Sequence, residues 1–274
     1  MTVQAVLQQR VFIVTGAASG IGRALSRRLL DAGHCVCACD IDAETLAAVY
    51  PDSAHCLAIP LDVRMYGAWQ AAVEQVVGRW GRVDVLCNIA GILQDNWVAD
   101  VQPGEIDRHL DINTKGVMLG MHSVLPHMTA QGGGHIVNMA SMAGIAAIPG
   151  LALYSASKFA VRAYSLAAAV ELAPKGIAVS VVCPDAVQTP MLDRQRGRLQ
   201  TALTFSGGRI LTADDIAEAL MTRVFPRRPV ELALPPARGW LAKLSNTFVG
   251  LTAYLVPKLQ QKGLRRQHTH PHQE

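Results

Sequence analysis

The sequence predicts a single-domain α/β fold built on a doubly wound, mostly parallel sheet of seven strands with helices on both faces. Three observations carry that expectation. Short apolar runs rich in valine, isoleucine or cysteine alternate with longer segments of helical period. The first run passes into a glycine-rich turn, Thr15-Gly16-Ala17-Ala18-Ser19-Gly20-Ile21-Gly22, at which a helix opens at once. No linker of Pro, Gly and Ser divides the chain, and no repeat of fixed period runs through it.

The elements follow in order. Val11 to Thr15 is the first strand, and Ile21 to Ala32 the first helix, stopped by Gly33. Cys35 to Asp40 is the second strand; alternation puts Cys35, Cys37 and Cys39 on one of its faces. A strand over His55 to Leu61 precedes a helix over Met65 to Trp80, closed by Gly81. The fourth strand, Val83 to Asn88, is followed by a helical stretch from Glu105 to Met128 with a break near Asn113. Beyond Gly132 to Gly134 come a strand over His135 to Ala140 and a helix over Tyr154 to Ala173, ended near Gly176. A strand over Ala178 to Cys183, a helix over Ala213 to Phe225 and a strand over Val230 to Leu234 complete the pattern. Two segments break it: Pro184 to Gly208, long for a connection and therefore expected to carry function, and everything after Pro235. The expected division is a dinucleotide-binding and catalytic domain over 1–235 and an amphipathic extension with a basic, polar end over 236–274.

Composition narrows the function. Half the 274 residues are hydrophobic, the formal net charge is only +4 and aromatics make up 5%, so no phosphate-tracking surface or base-stacking platform is indicated and nucleic acid is not an expected partner. Five of the six cysteines fall in apolar runs and read as buried thiols in a reducing cytoplasm; without a Cys-x-x-Cys pair, no metal is expected. Met1 to Arg10 lacks the basic stretch and apolar core of a signal peptide. Ile136 to Ser157 is long and uncharged, but Pro149 and several glycines interrupt it, so it reads as interior rather than membrane-spanning.

Glycines at a strand-to-helix turn let backbone approach a pyrophosphate, while the helix N-terminus offers unpaired amides; a glycine-rich turn without a ligand is the alternative. Asp40 stands eighteen residues beyond Gly22 at the end of the second strand, where a carboxylate can accept bonds from a ribose diol and repel a 2'-phosphate. Asp42 is the alternative for that task, or for capping the next helix. Tyr154 and Lys158 are four apart on one helical face, so an ammonium stands near a phenol and can stabilise its phenolate; alone, such a pair is also an ordinary feature of helix surfaces.

Taken jointly, these motifs resemble the short-chain dehydrogenase/reductase family, with its TGxxxGxG cofactor turn and YxxxK pair, over about Arg10 to Val230. Asp62-Val63, Asn88-Ile89-Ala90-Gly91, Asn113, Ser141 and Pro184 to Thr189 also match. The resemblance implies a Rossmann-type sheet of order 3-2-1-4-5-6-7 and hydride transfer between NAD(H) and a secondary alcohol or ketone, with NADP less favoured. It implies that Tyr154 exchanges a proton with substrate oxygen, Lys158 holds phenolate and nicotinamide ribose, Ser141 bonds the reacting oxygen, and Asn113 seats a water. Cofactor contacts would come from Gly16, Ser19, Gly20, Ile21, Gly22 and Asp40, from Asp62 and Val63 at the adenine, from Asn88, Ala90 and Gly91, and from Pro184, Val187 and Thr189. A homodimer or homotetramer is expected.

Three features depart from the family pattern. Ile89 replaces a frequent second Asn, and Asp185 follows Pro184 where Gly is usual; Asp is tolerated if that turn needs left-handed backbone. The third is the tail, where Leu241, Leu244, Phe248, Leu251 and Leu255 form a helical stripe that Pro257 should end, followed by Lys258, Lys262, Arg265 and Arg266. The stripe fits first packing on its own domain or a second subunit, with an interfacial helix on an anionic membrane as the alternative. His109, His122 and His127 read as helix residues without a catalytic role, and His268, His270 and His272 as a polar terminus. Two rivals are an NADPH-dependent 3-oxoacyl reductase, opposed by Asp40, and a non-enzymatic dinucleotide sensor, which has no need of Ser141, Tyr154 and Lys158 together.

Overall fold

The computed structural model describes residues 9–269. Seven strands, β1 Val11–Thr15, β2 Cys35–Asp40, β3 Cys56–Pro60, β4 Val85–Asn88, β5 Gly134–Met139, β6 Ile177–Pro184 and β9 Glu231–Leu234, form one sheet in the order β3-β2-β1-β4-β5-β6-β9. Every pairing in it is parallel. Two further strands, β7 Val187–Gln188 and β8 Leu211–Thr212, pair outside it.

Side-chain alternation on these strands feeds two cores. Val11 and Ile13 of β1 and Cys35, Cys37 and Cys39 of β2 join one core; Phe12, Val14, Val36 and Ala38 join the other. The first core is covered by α3 Tyr66–Trp80 through Trp69 and Val73, by α5 Gly116–Ala130 through Met121 and Val124, and by α6 Ala152–Leu172 through Val161 and Leu172. The second is covered by α1 Gly20–Asp31 through Leu25 and Leu29, α2 Ala43–Val49 through Leu46, and α8 Ala213–Ala219 through Ile216. Apolar strands buried on both faces thus account for the unbroken hydrophobic runs. All six cysteines are buried free thiols. Strand order reverses between β1 and β4, and a crevice opens at their carboxyl ends.

The stretch around Asn113 is a π-helical turn, Asp111–Lys115, between α4 Pro103–Leu110 and α5. α2 is absent from the sequence expectations because in seven residues only Leu46 is buried, too little for a period to show. The Pro184 to Gly208 segment is not an open loop: it holds β7, α7 Pro190–Asp193 and a 3-10 helix over Leu199–Ser206. After α8, a π-helical turn and the short α9 Phe225–Arg227 lead to β9.

The tail corrects two expectations. It forms two helices, α10 Pro236–Thr247 and α11 Val249–Thr269, separated at Phe248 (φ −111°, ψ 60°), so the stripe does not lie on one straight helix. Pro257 does not end the second helix but lies inside it. A proline costs one intrahelical bond, and docking offsets that loss: a Cβ at Gly263 would collide with the Ala202 carbonyl, and Gln267 Nε2 donates to the Arg198 carbonyl at 3.2 Å and to Thr201 Oγ1 at 3.3 Å. α10 is held by Arg162 and Lys243, which both pair with Glu231 of β9. The side chains of Leu251, Leu255 and His268, and residues His270 and His272 altogether, lie outside the described set. No helix among the described residues is long and apolar enough to cross a membrane, and Ile136 to Ser157 runs through buried β5 into α6.

Candidate active site

The glycine turn is shaped by contact. Gly16 (φ 69°) and Gly20 (φ 51°) adopt left-handed backbone, a Cβ at Gly22 would collide with the Gly16 carbonyl, and one at Gly16 would stand 3.0 Å from Ala90 Cα. Ser19 makes no side-chain cap on α1, so its first-turn amides are not taken by it. Two remote groups stiffen the turn: Asp40 Oδ2 accepts from Ala18 N at 3.0 Å, and Tyr50 Oη donates to the Ala17 carbonyl at 2.9 Å. Asp42 takes the capping task weighed for it, accepting from Thr45 N at 3.0 Å at the start of α2. Sequence reasoning missed Tyr50, whose partner is 33 residues away.

A second loop follows β4. Thr15 Oγ1 accepts from Ile89 N at 3.0 Å and Ala90 N at 3.1 Å, tying this loop to the glycine turn. Asn88 Nδ2 donates to Asn138 Oδ1 at 2.9 Å and is buried between β4 and β5, behind the cavity wall. Asn113 also stands behind it: its Oδ1 accepts from Ile92 N at 2.8 Å, and its Nδ2 donates to the Ile92 carbonyl at 2.9 Å and to Ser157 Oγ at 3.1 Å. Its amide therefore fastens the second loop to α6, and a Cβ on Gly91 would stand 3.1 Å from Asn113 Oδ1 and 3.4 Å from Lys158 Nζ.

Ser141, Tyr154 and Lys158 converge. Ser141 follows β5 and its Oγ accepts from Ala143 N at 3.1 Å, opening a 3-10 turn. Tyr154 and Lys158 lie on α6; Lys158 Nζ donates to the Met139 carbonyl at 2.9 Å and stands 5.7 Å from the centre of the Tyr154 ring. Burial pushes the Tyr154 phenol up to about 12, although a hydrogen bond with Ser141 opposes the rise. Burial likewise pulls Lys158 down to about 8. In both groups burial is the largest cause of the shift, raising the phenol and lowering the ammonium.

One cavity of about 980 Å³ joins these parts. Gly16, Ser19, Gly20, Ile21, Gly22 and Asp40 line one end, with Asp62 and Val63 beside them; Ala90, Gly91, Ser141, Tyr154, Lys158, Pro184, Val187 and Thr189 line the rest. Arg64 Nη2 pairs with Asp62 at 2.6 Å and holds its carboxyl below the usual range. Thr189 reaches across to the glycine turn, its Cγ2 3.1 Å from where a Cβ on Gly20 would stand. Beyond Tyr154 the walls are mainly apolar: Leu93, Met142, Ile148, Leu151, Met191 and Leu203, with Leu241, Val256 and Leu259 from the tail. The segment after Pro184 and the tail therefore meet at one pocket. Asp185, 9% exposed, pairs with Arg238 Nε of α10 at 2.9 Å. It needs no left-handed backbone, because among the described residues Arg228 alone of the non-glycines has positive φ. Arg238 was not foreseen.

Comparison with known proteins agrees with this fold. Residues 10–199 match the family model for short chain dehydrogenases. The chain is 39% identical over 224 residues to the 2-(R)-hydroxypropyl-CoM dehydrogenase of Xanthobacter autotrophicus, spanning 77% of this chain and 90% of the relative. It resembles the 3-ketoacyl-(acyl-carrier-protein) reductase of Brucella melitensis complexed with NADH, with 31% identity and a TM-score of 0.74 over 82% of this chain and 96% of that one. It also resembles a short chain dehydrogenase/reductase of Burkholderia phymatum in complex with NAD, with 26% identity and a TM-score of 0.79 over 89% and 95%.

Proposed function

This chain belongs to the short-chain dehydrogenase family, and from that premise we propose that it is an NAD(H)-dependent oxidoreductase interconverting a lipophilic secondary alcohol and its ketone. The observation that carries the reading is one cavity with a glycine turn and carboxylate at one end, Ser141 with the buried Tyr154 and Lys158 in the middle and an apolar wall beyond them. The donor set fits a dinucleotide: Gly16, Gly20 and the start of α1 suit a pyrophosphate, Asp40 suits a ribose diol, and Asp62 and Val63 flank that end. When bound, the nicotinamide supplies the hydride acceptor or donor.

The remaining chemistry belongs to the protein. Tyr154 Oη gives its proton to a ketone oxygen in reduction and removes it from the hydroxyl in oxidation, a role typically worth ~10²- to 10⁴-fold. Ser141 bonds the same oxygen as charge develops on it. Lys158, anchored on the Met139 carbonyl, keeps a positive charge beside the phenol and becomes easier to deprotonate through its own burial. Asn113 positions the loop at Gly91 from behind, and Asn88 ties the end of β4 to Asn138 of β5. The pocket's leucine and methionine lining excludes water and favours large apolar substituents. Buried thiols suit a cytoplasmic setting, and the same reading includes a homodimer or homotetramer, measurable by light scattering.

Measuring kcat/KM for oxidation of secondary alcohols of increasing chain length and ring size, with NAD and NADP, tests the proposal. The expected result is a preference for NAD that narrows in Asp40→Ala, and values that rise with apolar size. Preference for NADP in the unaltered protein overturns the reading of Asp40 and favours the 3-oxoacyl reductase alternative. NADH binding without turnover of any alcohol or ketone favours the sensor.

A further inference from the structure

We propose that the outer face of α10 and α11 docks on an anionic lipid bilayer, so that the tail which walls the catalytic cavity also seats it on a membrane. On α10, Ala242 and Ser245 line the cavity, while Trp240 (71% exposed), Leu244 (54%) and Phe248 (58%) project on the outside. On α11, Val256, Gly263 and Gln267 face inward, while Tyr254, Lys258 and Lys262 are exposed. Large apolar side chains exposed this densely on one surface indicate an apolar partner.

Charge identifies which partner. Residues 236 to 269 contain six Lys and Arg and no Asp or Glu, so with a formal net charge of +4 for the whole chain, all the other residues together sum to −2. The positive excess of the protein is therefore confined to the tail. Within it, cations stand over the exposed rings, Lys243 Nζ 5.8 Å from the centre of Trp240 and Lys258 Nζ 5.6 Å from that of Tyr254. Lys243 also pairs with Glu231 of β9, but residues 236 to 269 themselves contribute no carboxylate, and aromatic rings flanked by long cationic side chains suit the headgroup region of an anionic membrane. The same face fits a second copy of this chain poorly, because a two-fold interface would set tail against tail and oppose like charges.

Binding is independent of the reaction proposed above. Its consequence rests on that reading: a lipophilic alcohol or ketone dissolved in the bilayer would meet the cavity through the tail that lines it. The test uses the full chain, because α11 packs on Leu199–Ser206 and its removal would open the pocket. Flotation with vesicles of phosphatidylglycerol and phosphatidylcholine is compared with phosphatidylcholine alone. The protein should float with the anionic vesicles, less at high salt, and not with the neutral ones. Trp240→Gln/Leu244→Gln/Phe248→Gln should lower vesicle affinity at least tenfold while keeping turnover of a small soluble alcohol, and Lys258→Gln/Lys262→Gln should lower it by a factor of about ten or more. Brominated acyl chains provide a readout that needs no polar variant: they should quench tryptophan fluorescence in the unaltered protein and much less in Trp240→Phe. No flotation with anionic vesicles, flotation unchanged in the triple variant, or quenching unchanged in Trp240→Phe overturns the proposal. An assembly that the triple variant splits, in protein that does not float, assigns the face to a second copy instead.

Discussion

Removing the guanidinium of Arg238 should expose how the tail is held. Asp185 is 9% exposed and its side chain lies against the apolar pocket, where burial raises its pKa and Arg238 opposes that rise. Arg238 is 34% exposed and reaches water on one side. Losing one partner of a fully buried pair costs ~3–5 kcal/mol, and partial screening at Arg238 reduces this to about 2 kcal/mol for Arg238→Met at pH 8. The orphaned carboxyl would then have a folded-state pKa further above its unfolded value. A group raised in this way costs stability as pH climbs above the unfolded value, so the penalty should shrink toward pH 4 and grow toward pH 8. Asp185→Asn should cost within about 1 kcal/mol, because the arginine left behind remains partly hydrated, and the double variant should lie within about 1 kcal/mol of the unaltered protein. Urea unfolding of the four proteins at pH 5 and pH 8 measures all of this. A loss under about 0.5 kcal/mol for Arg238→Met at pH 8, or equal losses for the two single variants, would refute the argument.

Two further expectations concern protons. Tyr154→Phe should lower turnover by ~10²-fold or more with NADH binding, followed by fluorescence, nearly intact, since only the hydroxyl is lost; near-normal turnover on a good substrate excludes Tyr154 as the proton donor. His135 is fully buried, its Nε2 2.8 Å from Ser180 Oγ, and burial depresses its pKa to about 3. Below its unfolded value the unfolded chain takes up a proton that the folded one refuses, so stability falls by ~1.4 kcal/mol per pH unit, about 2 kcal/mol by pH 5. His135→Gln should flatten that acid limb in urea midpoints measured between pH 7 and pH 5; an unchanged slope would exclude it.

The alternation along Val11–Thr15 and Cys35–Asp40, the glycine turn and the four-residue spacing of Tyr154 and Lys158 were legible in the sequence, because each is a short-range rule of backbone geometry. Seven strands and most of their covering helices, α2 excepted, follow from such local signals combined with the family resemblance. Local signals also misled at Pro257, where the lost backbone bond suggested a helix end and docking of Gly263 and Gln267 carried the helix through. Thr15 holding Ile89 and Ala90, Asn113 fastening Ile92 to Ser157, and Arg238 meeting Asp185 each join residues far apart in the chain. No periodicity encodes such meetings. They exist only once the sheet has ordered its strands and brought the segment after Pro184 and the tail to the same end. The setting of Tyr154 was decided in the same way: the sequence determined that a lysine would stand near it, but the burial that raises its phenol is a property of the tertiary structure alone.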